Sequence, residues 1–513
     1  MYLDLDVGGL AEPVRGRRWE SAEVRSEVAV RAARLVRHGL GPGERALLPF
    51  GNRLEFFAEL LAVWQTGGSA IPLDPRLTPF EVTTLATAAR PRVALVDDTT
   101  SAPILAALGE AGVTIVNAVE APSTADVALG APRARARLDD EALILFTSGS
   151  TGDPKGVVHT HRSLRARWIG LRQALDVESF RRTLCLLPTH FGHGLICNCL
   201  FPWLSGCDLF VTPPFQPDLL MRLGSLVDEH RITFLSSVPS MWRVALKLAR
   251  PPRAGTLARI HCGSAPLSAG IWQDIRKWSS TTAVSNTYGI TETGSWVAGS
   301  AGRDVAPEDG LIGEPWGAVI KVLRTRETDV PLSPDLQCAA GESGFVWLNT
   351  PALMHGYLDR DDLTEQVVSA GWFMTGDIGV LDERGRLYLR GRERDEINKG
   401  GAKIYPADVD AVVERFAQAK DVCTFALDDP TYGQNVGMAV VLDDAGHATI
   451  AALHAWMKQH LAEPKMPVRW YLVDAIPRTS RGKINRDSVK ASCAGLTPVD
   501  LTAILGAGRG ASV

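Results

Sequence analysis

The 513-residue sequence contains no run of about 18 uninterrupted apolar residues, the length a membrane-spanning helix requires. Its start, Met1-Tyr2-Leu3-Asp4-Leu5-Asp6, has no basic stretch leading into an apolar core, so neither a secretion signal nor stable membrane insertion is expected. The eight cysteines form no C-x-x-C pair, which argues against a structural zinc site and a dithiol redox motif. Cys197 and Cys199, set in an apolar run with only Asn198 between them, read as small buried thiols, and a reducing cytoplasm fits them best. Positive charge is not in excess: 54 Lys+Arg against 58 Asp+Glu give a net charge of -4, so no field for a polyanion exists and nucleic acid is not an expected partner. The arginines at 15, 17 and 18 and at 133, 135 and 137 are short clusters that read as solvated surface or linker. No solenoid-type repeat is present.

What is present is ordinary globular composition, 45% hydrophobic and 22% charged, in a chain longer than the roughly 250–300 residues one core can serve. At least two domains follow. Apolar residues recur at helical spacing over 23–39 and 54–66, and β-rich runs occupy 45–49, 69–73, 93–96 and 113–116. Thr78-Pro79 opens a further helix. This alternation predicts α/β layers on a largely parallel sheet. Residues 130–137 read as a linker before the apolar strand 142–146, and another αβ series runs to about 286. After Gly310 the texture becomes short β runs split by glycine, such as 344–348 and 386–389, which predicts a small β part. A final, smaller α+β unit begins near Asp395, placing the domain boundary between 394 and 395.

The most informative segment is Leu145-Phe146-Thr147-Ser148-Gly149-Ser150-Thr151-Gly152-Asp153-Pro154-Lys155-Gly156. Consecutive hydroxyls and glycines offer unhindered N–H groups and side-chain donors, and Lys155 adds a positive charge, a set that suits a polyphosphate. The segment does not satisfy the Walker pattern, and the strand before it and the Pro-Lys-Gly turn after it set it apart from a plain solvent loop. It resembles the phosphate loop of the adenylate-forming superfamily, which includes acyl-CoA synthetases, luciferases and peptide-synthetase adenylation domains.

The other motifs of that family occur in order. Gly263-Ser264-Ala265-Pro266-Leu267 resembles the segment along adenine, and Asn286-Thr287-Tyr288-Gly289-Ile290-Thr291-Glu292 resembles the aromatic-Gly-x-Thr-Glu element. The resemblance implies that Tyr288 stacks on adenine, Thr291 contacts phosphate and Glu292 holds Mg²⁺; a carboxylate beside a hydroxyl suits a hard cation in any case. Gly371-Trp372-Phe373-Met374-Thr375-Gly376-Asp377 resembles the ribose motif, with Asp377 as a two-oxygen acceptor for a cis-diol, and Arg392 of Gly391-Arg392 matches an arginine that also reaches the nucleotide. Gly341-Glu342 and Gly356-Tyr357 serve as fold markers. Arg394, at the hinge-like position, departs from the Asp or Lys that relatives often carry. Pro477-Arg478-Thr479-Ser480-Arg481-Gly482-Lys483-Ile484 resembles the terminal catalytic motif, whose lysine offsets charge shared between the acid and the α-phosphate. The resemblance spans nearly the whole chain.

It implies a large N-terminal domain, 1–394, of several subdomains including a β-barrel-like part, and a mobile C-terminal domain, 395–513. It implies the cofactors ATP and Mg²⁺, with Thr147, Glu292, His193 and Lys483 acting in catalysis. It also implies two half-reactions: an acid attacks ATP to give the adenylate and pyrophosphate, and a nucleophile, usually the CoA thiol, then displaces AMP. Gly400-Gly401-Ala402-Lys403 resembles the segment facing the pantetheine tunnel, where Gly401 leaves room for a thin chain and CoA is implied as second substrate. Around Pro188-Thr189-His190-Phe191-Gly192-His193-Gly194 there is no Asp of the kind that pairs with an α-ammonium, so an α-amino acid is not the expected substrate. His190, Phe191, His193, Ser236, Ser237, Val238, Gly263 and Gly289 are the expected acid pocket, each histidine being either a donor to the acid or a packed ring. Three readings stay open: a carboxylate–CoA ligase; an adenylating enzyme whose acceptor is a carrier-protein thiol or an amine, or which activates nitrite for diazotisation; and a non-catalytic nucleotide-binding homologue, against which the joint presence of Lys483, Glu292 and Asp377 argues.

Overall fold

The computed structural model describes residues 6–120, 136–148, 154–214, 217–300, 305–328, 333–399, 402–479 and 482–507. Within these residues two sheets build the large N-terminal part and a third builds the C-terminal part.

The helix Leu54–Thr66 is the pin of the first layer, because its sequence is apolar nearly all round and all its residues except Gln65 are buried. It feeds the strand Ser69–Pro72, which pairs in parallel with Arg45–Leu48; that strand in turn pairs with Val93–Val96, and Val93–Val96 with Thr114–Asn117. The helix Pro79–Ala89 starts as the Thr78-Pro79 signal requires: Thr78 Oγ1 accepts from the Glu81 amide at 3.3 Å and Glu81 returns a bond from the Thr78 amide at 2.7 Å. The strand Glu141–Ser148 joins this 7-stranded sheet beside Ser69–Pro72 and turns back as Pro154–Thr160. The linker expected at 130–137 falls mostly outside the described residues.

The second sheet has 14 strands. Its parallel half runs through Leu10–Glu12, Asp208–Val211, Arg182–Cys185, Phe234–Ser237, Arg259–Gly263 and Val284–Ile290. From Val284–Ile290 onward the pairing turns antiparallel, through Ser295–Gly299, Leu311–Pro315, Leu387–Arg392, Trp372–Leu381, Gly344–Asn349 and Val319–Leu323. The change matches the shift after Gly310 from helix-strand alternation to short glycine-split β runs. One core cluster, including Phe57, Trp64, Trp203 and Trp296, draws on both sheets and locks the layers together.

The third sheet, of five strands, has its own core around Ile397, Val409, Val436, Leu453 and Trp470. The hairpin Ile397–Lys399/Ala402–Ile404, the helix Pro406–Glu414 and the long pair Ala419–Asp429/Gly433–Leu442 form it, with Arg469–Leu472 added in parallel. Among the described residues no helix is long and apolar enough to cross a membrane.

Candidate functional site

The phosphate segment is a hairpin whose two arms are well paired and whose tip, with Gly149, Ser150, Thr151 and Gly152, lies outside the described residues. Thr147 stands opposite Lys155, and its hydroxyl donates to the Lys155 carbonyl at 3.4 Å. Ser148 ends the first arm. Lys155 Nζ sits 5.5 Å from the centre of the Tyr357 ring, in cation–π range. The Tyr357 hydroxyl donates to Glu292 Oε1 at 2.8 Å, and burial, then the Glu292 charge, push its pKa well above the ordinary value, so it stays protonated. Tyr357 therefore bridges the phosphate hairpin and the acidic turn. In the sequence it stood only as a fold marker; the Gly356-Tyr357 pair carried the signal, its partner 65 residues away did not.

Glu292 occupies a short turn, Thr291–Thr293, directly after the strand Val284–Ile290. Among the described residues no group of three His, Cys, Asp or Glu could hold a metal ion. A cation at Glu292 would thus draw most of its ligands from phosphate and water, which is how Mg²⁺ is usually held.

The residues expected to meet the nucleoside are cross-strand neighbours. Asp377 and Arg392 are register partners, and Arg392 Nε lies 2.9 Å from Asp377 Oδ1. The Tyr288 hydroxyl donates to Asp377 Oδ2, and burial, followed by the Asp377 charge, raises the phenol's pKa. Asp377 is thus a buried carboxylate with both oxygens already engaged. Asn286 donates to the Leu311 carbonyl at 2.8 Å and Thr287 to the Cys262 carbonyl at 3.3 Å, bonds that tie their strand to its surroundings. Ser264, ahead of Ala265 and Pro266, holds φ at 66°, an unfavourable value for a residue with a side chain.

His193 explains how that backbone is kept. It opens a π-helical stretch, His193–Leu200, a form often found at functional sites, and its Nδ1 lies 2.7 Å from Ser264 Oγ while its Nε2 lies 2.7 Å from Ser236 Oγ. Burial, then the charge of Lys483, lowers its pKa to about 3, so the ring is neutral, donating from one nitrogen and accepting at the other. Phe191 and Trp296 meet this ring edge-on at 6.3 and 5.6 Å. Ser237 faces the other way: it donates to the His261 carbonyl and accepts from Trp242 Nε1, as alternation along a strand demands. His190 Nε2 lies 3.4 Å from Asp74 Oδ2. A side chain at Gly263 would strike Thr287 Oγ1 at 2.4 Å and one at Gly289 the Ser295 carbonyl at 2.0 Å, so neighbouring strands enforce both glycines. Burial raises the thiol of Cys197, on the helical stretch that His193 opens, to about 11 and that of Cys262, beside Ser237 on the other face, to about 12.

The C-terminal part closes over this wall. Thr479 and Lys483 bracket a tight turn, with the Thr479 amide donating to the Lys483 carbonyl and the Gly482 amide to the Thr479 carbonyl, both at 2.8 Å. Gly482 has φ of 73°, and a side chain there would meet Ser240 Oγ at 2.5 Å, so both conformation and space require glycine. Val238 borders the same contact. Lys483 is near enough for its charge to bear on His193. Gly401 lies outside the described residues, and Arg394 lies in the turn Glu393–Asp395.

The paired hairpin, the Asp377–Arg392 pair, the Glu292 turn and Lys483 from the second unit stand where the sequence resemblance to adenylate-forming enzymes places its motifs. The profile described as AMP-binding enzyme matches residues 10–358 and that of the AMP-binding enzyme C-terminal domain residues 408–483, and the chain belongs to this family of AMP-forming, acid-activating ligases. The chain is 30% identical over 475 residues to a feruloyl-CoA synthase of Amycolatopsis sp, covering 91% of this chain and 93% of that one. It is 29% identical over 479 residues to the 2-succinylbenzoate–CoA ligase of Geobacillus kaustophilus (strain HTA426), covering 93% of each. The crystal structure of ATP-bound MatB from Rhodopseudomonas palustris superposes with a TM-score of 0.83 at 24% identity, over 96% of this chain and 97% of that one, and shares its fold.

Proposed function

We propose that the protein joins an uncharged-bodied monocarboxylic acid to CoA through an acyl-AMP, the small domain from Asp395 onward turning between the two half-reactions. In the first, a carboxylate oxygen attacks the α-phosphorus of ATP and pyrophosphate leaves; in the second, a thiol sulfur attacks the acyl carbon, AMP leaves and the thiol proton passes to solvent. Glu292 would hold Mg²⁺, which screens the charge of the phosphates when bound. Asp377 and Arg392 orient the ribose, Tyr288 borders adenine, the 147–156 hairpin grips the leaving pyrophosphate and Lys483 stabilises charge at the α-phosphate.

The observation that carries CoA as acceptor is a cavity of about 740 Å³ between the two parts, lined by Pro188 and Gly482 and by Arg76, Arg243, Lys247, Lys420 and Arg478, with Asp421 as the acidic residue. Arg76, Arg243, Lys420 and Arg478 hold ion pairs with Asp74, Glu414, Asp443 and Asp421, and their remaining N–H donors, with Lys247, suit a phosphorylated acceptor. The uncharged wall around His193, formed by Ser236, Ser264, Phe191 and Trp296, supports an acid with no second charge, because burying an unpaired carboxylate there would be costly. The relative named feruloyl-CoA synthase agrees with this wall.

The test is pyrophosphate release over a panel of aryl, short-chain and dicarboxylic acids and nitrite, each with and without CoA. Release with an aryl or short-chain monoacid and a CoA thioester as product is expected. An adenylate that only an amine or a carrier-protein thiol discharges, or turnover confined to nitrite or a dicarboxylate, would replace this reading.

A further inference from the structure

Among the described residues, Arg167 is a buried cation with no carboxylate partner. Arg167, on the helix His161–Ala174, is 1% exposed. Its Nε and Nη2 donate to the Thr293 carbonyl at 3.2 and 2.9 Å, its Nη1 to the Trp316 carbonyl at 2.7 Å, and Nη2 also to Thr350 Oγ1 at 3.2 Å. Burial lowers its pKa to about 10, which leaves it charged at neutral pH. Burying a guanidinium costs several kcal/mol even after relaxation, and a methionine or leucine would fill the same space without that cost, so packing alone does not account for it.

Its target does. Thr293 closes the turn that carries Glu292, and each carbonyl of that turn is bonded from outside. The Thr291 carbonyl meets His159 Nε2 at 2.8 Å, the Glu292 carbonyl accepts from the Met354 amide at 2.7 Å, and the Thr293 carbonyl accepts from Arg167. His159 lies on the strand Pro154–Thr160, the return arm of the phosphate hairpin, and its Nδ1 is 3.1 Å from Ser163 Oγ on the helix that bears Arg167. Two of the three outside bonds therefore come from the chain that leaves the phosphate hairpin. Gly294, next in sequence, leaves only 3.4 Å between an added Cβ and the Arg167 stem, so the guanidinium packs directly beneath the turn.

We propose that Arg167 and His159 are positioning residues for adenylation, fixing the Glu292 turn in register with the phosphate hairpin. The proposal rests on the reading of Glu292 as the carboxylate that holds the metal. Neither residue touches substrate; both act through the carbonyls of residues 291 and 293.

The experiment compares Arg167→Met, Arg167→Lys, His159→Leu, His159→Gln and Glu292→Gln in the full-length enzyme. Mn²⁺ affinity is read by electron paramagnetic resonance with a methylene-bridged α,β analogue of ATP, and the two half-reactions are assayed separately. Arg167→Met is expected to weaken Mn²⁺ binding about tenfold and lower adenylation kcat/KM about thirtyfold, while thioester formation from supplied acyl-AMP stays within about twofold. His159→Leu should show the same split at smaller size, and His159→Gln, whose amide nitrogen can replace Nε2 as donor, should restore most of it. Should Arg167→Met not fold, Arg167→Lys must show the split in reduced form. Unchanged Mn²⁺ affinity in the folded Arg167 variants while Glu292→Gln loses it overturns the positioning role alone. Equal losses in both half-reactions, or failure of His159→Gln to restore what His159→Leu loses, overturn it as well. An unchanged affinity in Glu292→Gln overturns the metal reading, and the proposal with it.

Discussion

The two sides of the candidate site are held in opposite ways. On the large side, Glu292, Asp377, Tyr288 and His193 are each fixed by bonds to residues distant in sequence: Tyr357, Arg392 and the two serines at 236 and 264. On the small side, backbone bonds between Thr479 and Lys483 and between Gly482 and Thr479 close the turn on itself, Arg478 beside it pairs with Asp421 of the same domain, and Gly482 faces Ser240 and Val238 of the large part. A locally closed turn can leave and return as a unit, whereas the large side cannot move without breaking long-range bonds. The difference fits a catalyst that keeps its nucleotide cradle and exchanges the group presented to it.

The sharpest way to break this contrast is Lys483→Ala. Adenylation is expected to fall about 1000-fold, the upper end for loss of one charge-stabilising group, with thioester formation from supplied acyl-AMP nearly unchanged; equal loss of both steps would put the lysine on the fixed side.

Next is acid. Burial lowers the pKa of His159 and His161 to about 4 and that of His193 to about 3, all in the large part. Neutral when folded, these rings take up a proton near pH 6.5 when unfolded. Their contribution is thus complete above pH 6.5 and shrinks as pH falls from there toward 4 and 3. Each such ring costs about 2 kcal/mol at pH 5, roughly a thirtyfold shift in the unfolding constant. Replacing His161, whose ring nitrogens have no hydrogen-bond partner among the described residues, with Gln should flatten the pH dependence of urea unfolding by about that amount, and an unaltered slope would contradict the assignment.

Asp377→Asn should weaken both half-reactions about twentyfold, since a neutral acceptor replaces a charged one under a nucleotide that stays bound throughout. Gly482→Ala should slow adenylation about tenfold, through strain of about 1 kcal/mol at positive φ plus the Ser240 contact, and spare the thioester step. Matched half-reaction kinetics for the two variants decide whether the fixed and exchanged sides are real; identical patterns would erase the distinction.

Local signals were readable in the sequence. The helix Leu54–Thr66 lies where its periodicity placed it, and the Thr78-Pro79 start and the change of texture after Gly310 both correspond to structure. What could not be read were contacts fixed only by tertiary packing: Arg167 reaches Thr350 across 183 positions and His159 reaches Thr291 across 132, with no local pattern in either. Ser236 and Ser237 show the reverse. Adjacent residues on one strand point to opposite faces, so the sequence already held the reason why His193 touches Ser236 while Ser237 turns to Trp242.

An acyl-adenylate is a mixed anhydride that any nearby thiolate would capture, and this chain carries Cys197 on the helical stretch that His193 opens and Cys262 on the strand that leads into Gly263. With burial holding them at about 11 and about 12, fewer than about one in a thousand is ionised at neutral pH. Both thiols are therefore inert toward the product, and an intact mass unchanged after incubation with ATP and acid, no acceptor being added, is the expected mark of that inertness. The thiol that finishes the reaction has to come from outside.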